Sequence, residues 1–192
     1  MQGDKVATVS PSSGSAGEPS FKWRYEIGVR RLKELFGFDV VAMPNSLKGI
    51  EYNSKHPEGR AEDLMAAFSD SSIKAIICNI GGDDSIRLLP LLDEEVIRTN
   101  PKVLTGFSDT TSVHMICYGS GLSTFYGPAL LTDFAENFGV FGYAADYFRR
   151  ATFETGVIGR ISPAGYWTSE FLDWNDRELN KSPRSTNRTG GF

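Results

Sequence analysis

Val103-Leu104-Thr105-Gly106-Phe107-Ser108-Asp109-Thr110-Thr111 is an apolar run that breaks at a glycine and passes into a segment with helical periodicity. It predicts a buried strand, Val103 to Phe107, a tight turn, and a helix from Asp109 to Tyr118 that stops at Gly119. A serine in such a turn has an exposed hydroxyl, and the first N–H groups of the new helix are unpaired beside it. That arrangement suits a nucleophile and points to serine-hydrolase chemistry, with Ser108 as the reacting group. The same pattern also fits Ser108 or Asp109 as an ordinary helix N-cap. Thr110 stands where a full Gly-x-Ser-x-Gly elbow has its second glycine.

Outward from this turn, strands and helices alternate. Lys5 to Ser10 predicts a strand ended by Pro11, followed by a Ser/Gly-rich loop to Pro19. Tyr25, Val29, Leu32 and Phe36 recur at helical spacing over Lys22 to Phe36, and Gly37 is the stop. Phe38 to Met43 reads as a strand and Asn45 to Lys55 as a polar loop. Ala61, Leu64, Met65 and Phe68 share one face of a helix that starts near His56. Ile73 to Ile80 reads as a buried strand closed by Gly81-Gly82. Short helical pieces follow over Ser85 to Leu92 and Glu94 to Thr99. Ser123 to Tyr126 predicts a short strand, Gly142 to Ala151 a helix, and Thr155 to Ile161 a last strand. The alternation predicts an α/β fold, a mostly parallel sheet flanked by helices. Sites in such sheets form at the carboxyl ends of strands, where Gly81-Gly82 and Ser108 both fall. The expected division is a nucleophile-bearing α/β domain over 1–162 and an interdomain linker or disordered tail over 163–192, because little after Asn175 is apolar.

Composition narrows the function classes. With 192 residues, 40% apolar and 23% charged, the chain can bury a real core. Its net charge of −4, without a basic patch, argues against nucleic-acid binding. No apolar run approaches the ~20 residues needed to span a bilayer. No basic stretch followed by an apolar block opens the chain, so the expected location is the cytoplasm. The Asn187-Arg188-Thr189 sequon is then without consequence. Cys78 and Cys117 lie in apolar stretches and read as buried thiols rather than a disulfide or metal pair. No metal and no cofactor is expected.

The Gly81-Gly82 pair allows close approach of a ligand to the backbone, and a Gly82 N–H could act beside that of Asp109 as an oxyanion donor. Asp83, Asp84 and Ser85 could cap the next helix or bind substrate. His114 follows Ser108 by six residues, and the helix carries it away from the Ser108 hydroxyl, so it reads as a packed histidine. His56 sits in a polar segment and has no assigned role.

Several motifs in register carry a family resemblance. They are Ser10-Pro11-Ser12, Arg60-Ala61-Glu62-Asp63-Leu64, Gly81-Gly82-Asp83-Asp84-Ser85, Asn100-Pro101-Lys102, Gly106 to Thr111, Tyr126-Gly127-Pro128 and Trp167 to Glu170. Together they resemble the N-terminal part of the LD-carboxypeptidases, serine peptidase family S66, and most of all the microcin C7 self-immunity (MccF-like) branch. The resemblance implies a flavodoxin-like or class I glutamine-amidotransferase-like layering. It implies Ser108 as nucleophile and the Gly82 and Asp109 N–H groups as oxyanion hole. Gly81, Asp83, Asp84 and Ser85 are then substrate-binding candidates. Trp174, with Trp167 as the other choice, becomes the aromatic that stacks on a nucleobase. The implied substrate is a peptidyl- or aminoacyl-nucleotide antibiotic whose amide bond is hydrolysed. The alternatives are a murein tetrapeptide, or a non-catalytic ligand-binding module of the same fold. Family members complete a Ser-Glu-His triad from a C-terminal domain that is missing here. The chain alone is therefore expected to be inactive and to form a homodimer or otherwise self-associate through the face that domain covers.

Overall fold

The computed structural model describes residues 3–188; Met1, Gln2 and residues 189–192, including Thr189 of the sequon, lie outside the described residues. Five strands form one all-parallel sheet: β1 (Lys5–Val9), β2 (Asp39–Ala42), β3 (Ile73–Cys78), β4 (Val103–Gly106) and β5 (Phe125–Tyr126). Their spatial order, β2-β1-β3-β4-β5, is the flavodoxin-like one. In this order the chain reverses its direction of winding between β1 and β3, and the loops leaving neighbouring strands part there to open a crevice.

The central strands are buried on both faces. Ala7, Val9, Ile76 and Cys78 pack with Leu64 and Phe68 of helix α3 (Pro57–Ser69) and with Val113 and Cys117 of helix α5 (Thr111–Gly119). Val6 and Ile77 point the other way. They meet Tyr25 and Leu32 of helix α1 (Lys22–Phe36), Phe148 of helix α6 (Gly142–Phe153), and Leu130, Leu131 and Phe134. Alternation within each strand thus feeds two cores, as a sheet covered on both sides requires. Residues Leu130–Phe134 form a single π-type turn, fixed to the end of β3 by the Leu131 N–H, which donates to the Asn79 carbonyl at 2.9 Å. Both cysteines are free and buried, and burial pushes their thiols up to about 12.

Two local expectations are corrected. The expected polar loop Asn45 to Lys55 contains helix α2 (Ile50–Lys55), whose first N–H donates at 2.6 Å to the Glu18 carboxylate, 32 residues away in sequence. An acidic group at a helix start satisfies an orphan donor and meets the favourable end of the dipole, but this one is invisible locally. The expected strand Thr155 to Ile161 does not form. Gly156 and Gly159 interrupt it, Gly159 adopts φ 73°, and Val157 is 97% exposed. A two-residue antiparallel pair stands further on instead, Tyr166–Trp167 against Asn187–Arg188.

Candidate active site

The sequence after β4 turns abruptly. Ser108 adopts φ 64°, in the left-handed region that a residue with a Cβ enters only when its surroundings hold it there. Its side chain is exposed, at the entrance to α5. Three contacts hold the turn. The Ser108 N–H donates to the Tyr126 phenol at 2.9 Å, the Thr111 hydroxyl donates to the Ser108 carbonyl, and Gly81 packs against the side chain. A methyl group on Gly81 would lie 2.9 Å from Ser108 Cβ and 3.1 Å from its Oγ. One on Gly82 would lie 2.2 Å from Ser12 Oγ and 2.9 Å from the Ser13 nitrogen. Only glycines let the three loops close at this distance.

The Asp109 carboxylate ties the loops together. It accepts from the Ser12 hydroxyl of the β1 loop and, at 2.9 Å, from the Ser85 N–H of the β3 loop. The Ser85 hydroxyl donates back to the Asp109 carbonyl and lies 3.0 Å from Ser112 Oγ, and Ser85 is fully buried. The Asp109 N–H is in the first turn of the helical segment, where such groups lack an intrahelical partner, and stands 3.4 Å from where a Gly81 methyl would be. Beneath the loops Arg60, 2% exposed, donates to the Pro11 and Ser12 carbonyls at 3.2 Å each and holds both Asp84 oxygens, at 2.7 and 3.1 Å.

The structure therefore brings Ser108, Gly81 and Gly82 to one cleft of about 370 Å³, walled by Ser13, Ser15, Ile80, Phe107 and Thr132, with the Asp109 nitrogen close by Gly81. Asp84 and Ser85 lie under it, engaged with Arg60 and Asp109, and Asp83 is exposed at its edge. His114 is turned inward. Its Nε2–H donates to the Gly106 carbonyl at 3.0 Å and its Nδ1 accepts from the Thr124 hydroxyl at 2.7 Å; burial lowers its pKa. It is unavailable to Ser108.

Trp174 belongs to a neighbouring pocket of about 290 Å³ that shares Thr132 as a wall. Its ring covers the Arg24 guanidinium at 4.2 Å and meets Phe21 edge-on at 6.0 Å. Arg24 is buried, donates to the Leu131 carbonyl at 2.7 Å and to Asn137 and Asn180 at 3.0 and 3.1 Å, and burial pushes its pKa down to about 10. Trp167 lies elsewhere, in a pocket of about 150 Å³ with Phe141, Tyr143 and Tyr166. Tyr126, Ser12, Arg60 and Thr132 were not singled out by the sequence reading. The first three fall inside quoted motifs, but nothing in a motif says which side chain meets which backbone group. Among the described residues no group of three or more His, Cys, Asp or Glu could hold a metal ion, and no helix is long and apolar enough to cross a membrane.

A model of the LD-carboxypeptidase N-terminal domain (Peptidase_S66) matches residues 6–127, which contain all three loops of this cleft. The chain belongs to this family. The microcin C7 self-immunity protein MccF of Escherichia coli is 32% identical over 171 residues, 88% of this chain and 49% of MccF. The crystal structure of an MccF-like protein from Streptococcus pneumoniae in complex with AMP covers 100% of this chain at 39% identity and a TM-score of 0.89, with 56% of that chain matched. MccF in complex with aspartyl sulfamoyl adenosine covers 98% at 30% identity and a TM-score of 0.87, again over 56% of its length. The chain spans about half the length of the curated LD-carboxypeptidase relatives it matches.

Proposed function

We propose that this chain is the nucleophile-bearing half of a serine carboxypeptidase that hydrolyses the amide bond of a peptidyl- or aminoacyl-nucleotide. The observation that carries the reading is the left-handed Ser108, pressed against Gly81 at the mouth of the cleft. Ser108 Oγ attacks the amide carbonyl carbon and gives up its proton to a base. The carbonyl oxygen takes the negative charge and accepts from the Gly82 and Asp109 N–H groups. The C–N bond then breaks, the amine leaves with a proton, and water hydrolyses the resulting ester on Ser108. The base is not among the groups around Ser108: His114 has both ring nitrogens engaged with Gly106 and Thr124. A serine hydroxyl without its base is a weak nucleophile, so the chain by itself turns over little.

The nucleotide side of the substrate is supported by the AMP and aspartyl sulfamoyl adenosine held by the similar MccF proteins, and by Trp174 in the pocket that adjoins the cleft at Thr132. Calorimetry of the chain with aspartyl sulfamoyl adenosine and with a murein tetrapeptide tests this. Binding of the nucleoside compound alone is expected, and preferential binding of the tetrapeptide overturns the substrate assignment. Turnover of the nucleoside compound that is undiminished in Ser108→Ala overturns the role of Ser108.

A further inference from the structure

We infer that Tyr126 is a positioning residue, which holds the Ser108 backbone in its left-handed conformation from the neighbouring strand; the inference rests on Ser108 being the reacting group. A serine with φ 64° returns to an ordinary conformation unless several contacts oppose it. One of these contacts is local: the Thr111 hydroxyl on the Ser108 carbonyl is three residues away and moves with the same turn. Gly81 comes from the β3 loop but only packs against the side chain. The Tyr126 phenol is different. It lies 18 residues on, in β5, and accepts the Ser108 N–H at 2.9 Å. A change of φ at Ser108 swings this N–H away, so the bond opposes the relaxation directly.

Tyr126 is itself fixed from three sides. It pairs with Gly106 in the β4–β5 register, and the next N–H, that of Gly127, donates to the Gly106 carbonyl at 3.0 Å. Its ring stands edge-on to Phe107 at 6.5 Å and tilted against His114 at 5.7 Å. His114 in turn bridges the ends of the two strands through Gly106 and Thr124. A strand of only two residues at the sheet edge thus presents one hydroxyl at the nucleophile's backbone, although Tyr126 is 64% exposed and adds little to the core. The same bond engages the Ser108 N–H, which is then not a free donor for a ligand.

Tyr126→Phe removes the hydroxyl and keeps the ring. Amide hydrogen exchange followed by NMR reads the bond without any appeal to catalysis. Exchange at the Ser108 N–H is expected to quicken tenfold or more in Tyr126→Phe, while the Thr105 N–H, inside the sheet, keeps its rate and the melting temperature stays put. The rate at which a fluorophosphonate labels Ser108 is expected to fall at least tenfold. An unchanged Ser108 exchange rate, or quickened exchange with an unchanged labelling rate, overturns the inference. Label on another serine in place of Ser108 is instead a failure of the nucleophile reading; where the parent, lacking its base, labels too slowly to be followed, the exchange measurement decides the positioning by itself.

Discussion

Gly81 and Ser108 stand so close that a single added methyl group on the glycine would lie 2.9 Å from the serine Cβ. The contact joins the end of β3 to the end of its neighbour β4 and fixes where the serine hydroxyl sits. Gly81→Ala must push Ser108 aside or open the two loops. Overpacking of this kind costs about 1–3 kcal/mol, and a shift of the reacting atom by an ångström costs about 100-fold in rate. Thermal melting and the rate of fluorophosphonate labelling at Ser108 measure the two effects, and the second is expected to be the larger in proportion.

Asp109 contributes through two separate groups. Its nitrogen lies 3.4 Å from where a Gly81 methyl would be, while its carboxylate receives the Ser12 hydroxyl and the Ser85 N–H. Asp109→Ala keeps the N–H and orphans both donors, one of them on a fully buried residue. The expected loss is about 2–4 kcal/mol of stability, from two polar groups left without their charged acceptor, read by urea unfolding. Asp109→Asn retains an acceptor and is expected to lose less than half as much.

Arg60 and Asp84 form the ion pair under the cleft, with the Arg60 side chain 1% and the Asp84 side chain 26% exposed. Arg60→Met leaves the Asp84 carboxylate to Arg87, 3.3 Å away, and takes this donor from the Pro11 and Ser12 carbonyls. Removing one partner of a buried pair costs about 3–5 kcal/mol, and the partial exposure of Asp84 puts the expected value at the low end. Equilibrium unfolding checks it, and a variant as stable as the parent contradicts the role given to Arg60.

His114 gives a pH dependence with a defined sign. Burial lowers its pKa below the ordinary 6.5, against the Gly106 hydrogen bond, which works the other way. In the unfolded chain the imidazole takes its proton near 6.5, and in the folded chain only at lower pH. Between the two values the unfolded state binds more protons, so this group's contribution to stability falls as pH drops through that window and levels off below it. Unfolding free energies at pH 7.5 and pH 5 are expected to differ more in the parent than in His114→Gln, and equal differences in the two contradict the assignment.

The two tryptophans of the last segment separate by place. Trp174 lines the pocket that meets the Ser108 cleft at Thr132, whereas Trp167 lines a pocket with Phe141 and Tyr143. Stacking of a base on an aromatic side chain contributes about 1–3 kcal/mol. Trp174→Ala is expected to weaken AMP binding by tenfold or more in calorimetry, and Trp167→Ala to leave it within twofold. The reverse ranking moves the nucleoside to the other pocket.

The fold and the turn at Ser108 were legible because their signals are local. Isoleucines at Ile73, Ile76 and Ile77 followed by Gly81-Gly82, and Val103-Leu104 followed by Gly106 and Ser108, each encode a buried strand with a loop at its carboxyl end. Partners across long sequence gaps were not legible. Glu18 starts α2, Arg60 holds Asp84, and Tyr126 meets Ser108 only because the sheet order brings them together. Thr155 to Ile161 misled because three apolar residues among glycines read as a strand, while Gly156 and Gly159 break the run.

Peptide mapping by mass spectrometry after incubation with a fluorophosphonate tests the central claim most directly. The account predicts one adduct, on Ser108, absent from Ser108→Ala and reduced in Gly81→Ala. Labelling is expected to be slow, because the base is absent; an adduct that forms on another serine in place of Ser108, or total labelling undiminished in Ser108→Ala, contradicts the assignment of Ser108 as the nucleophile.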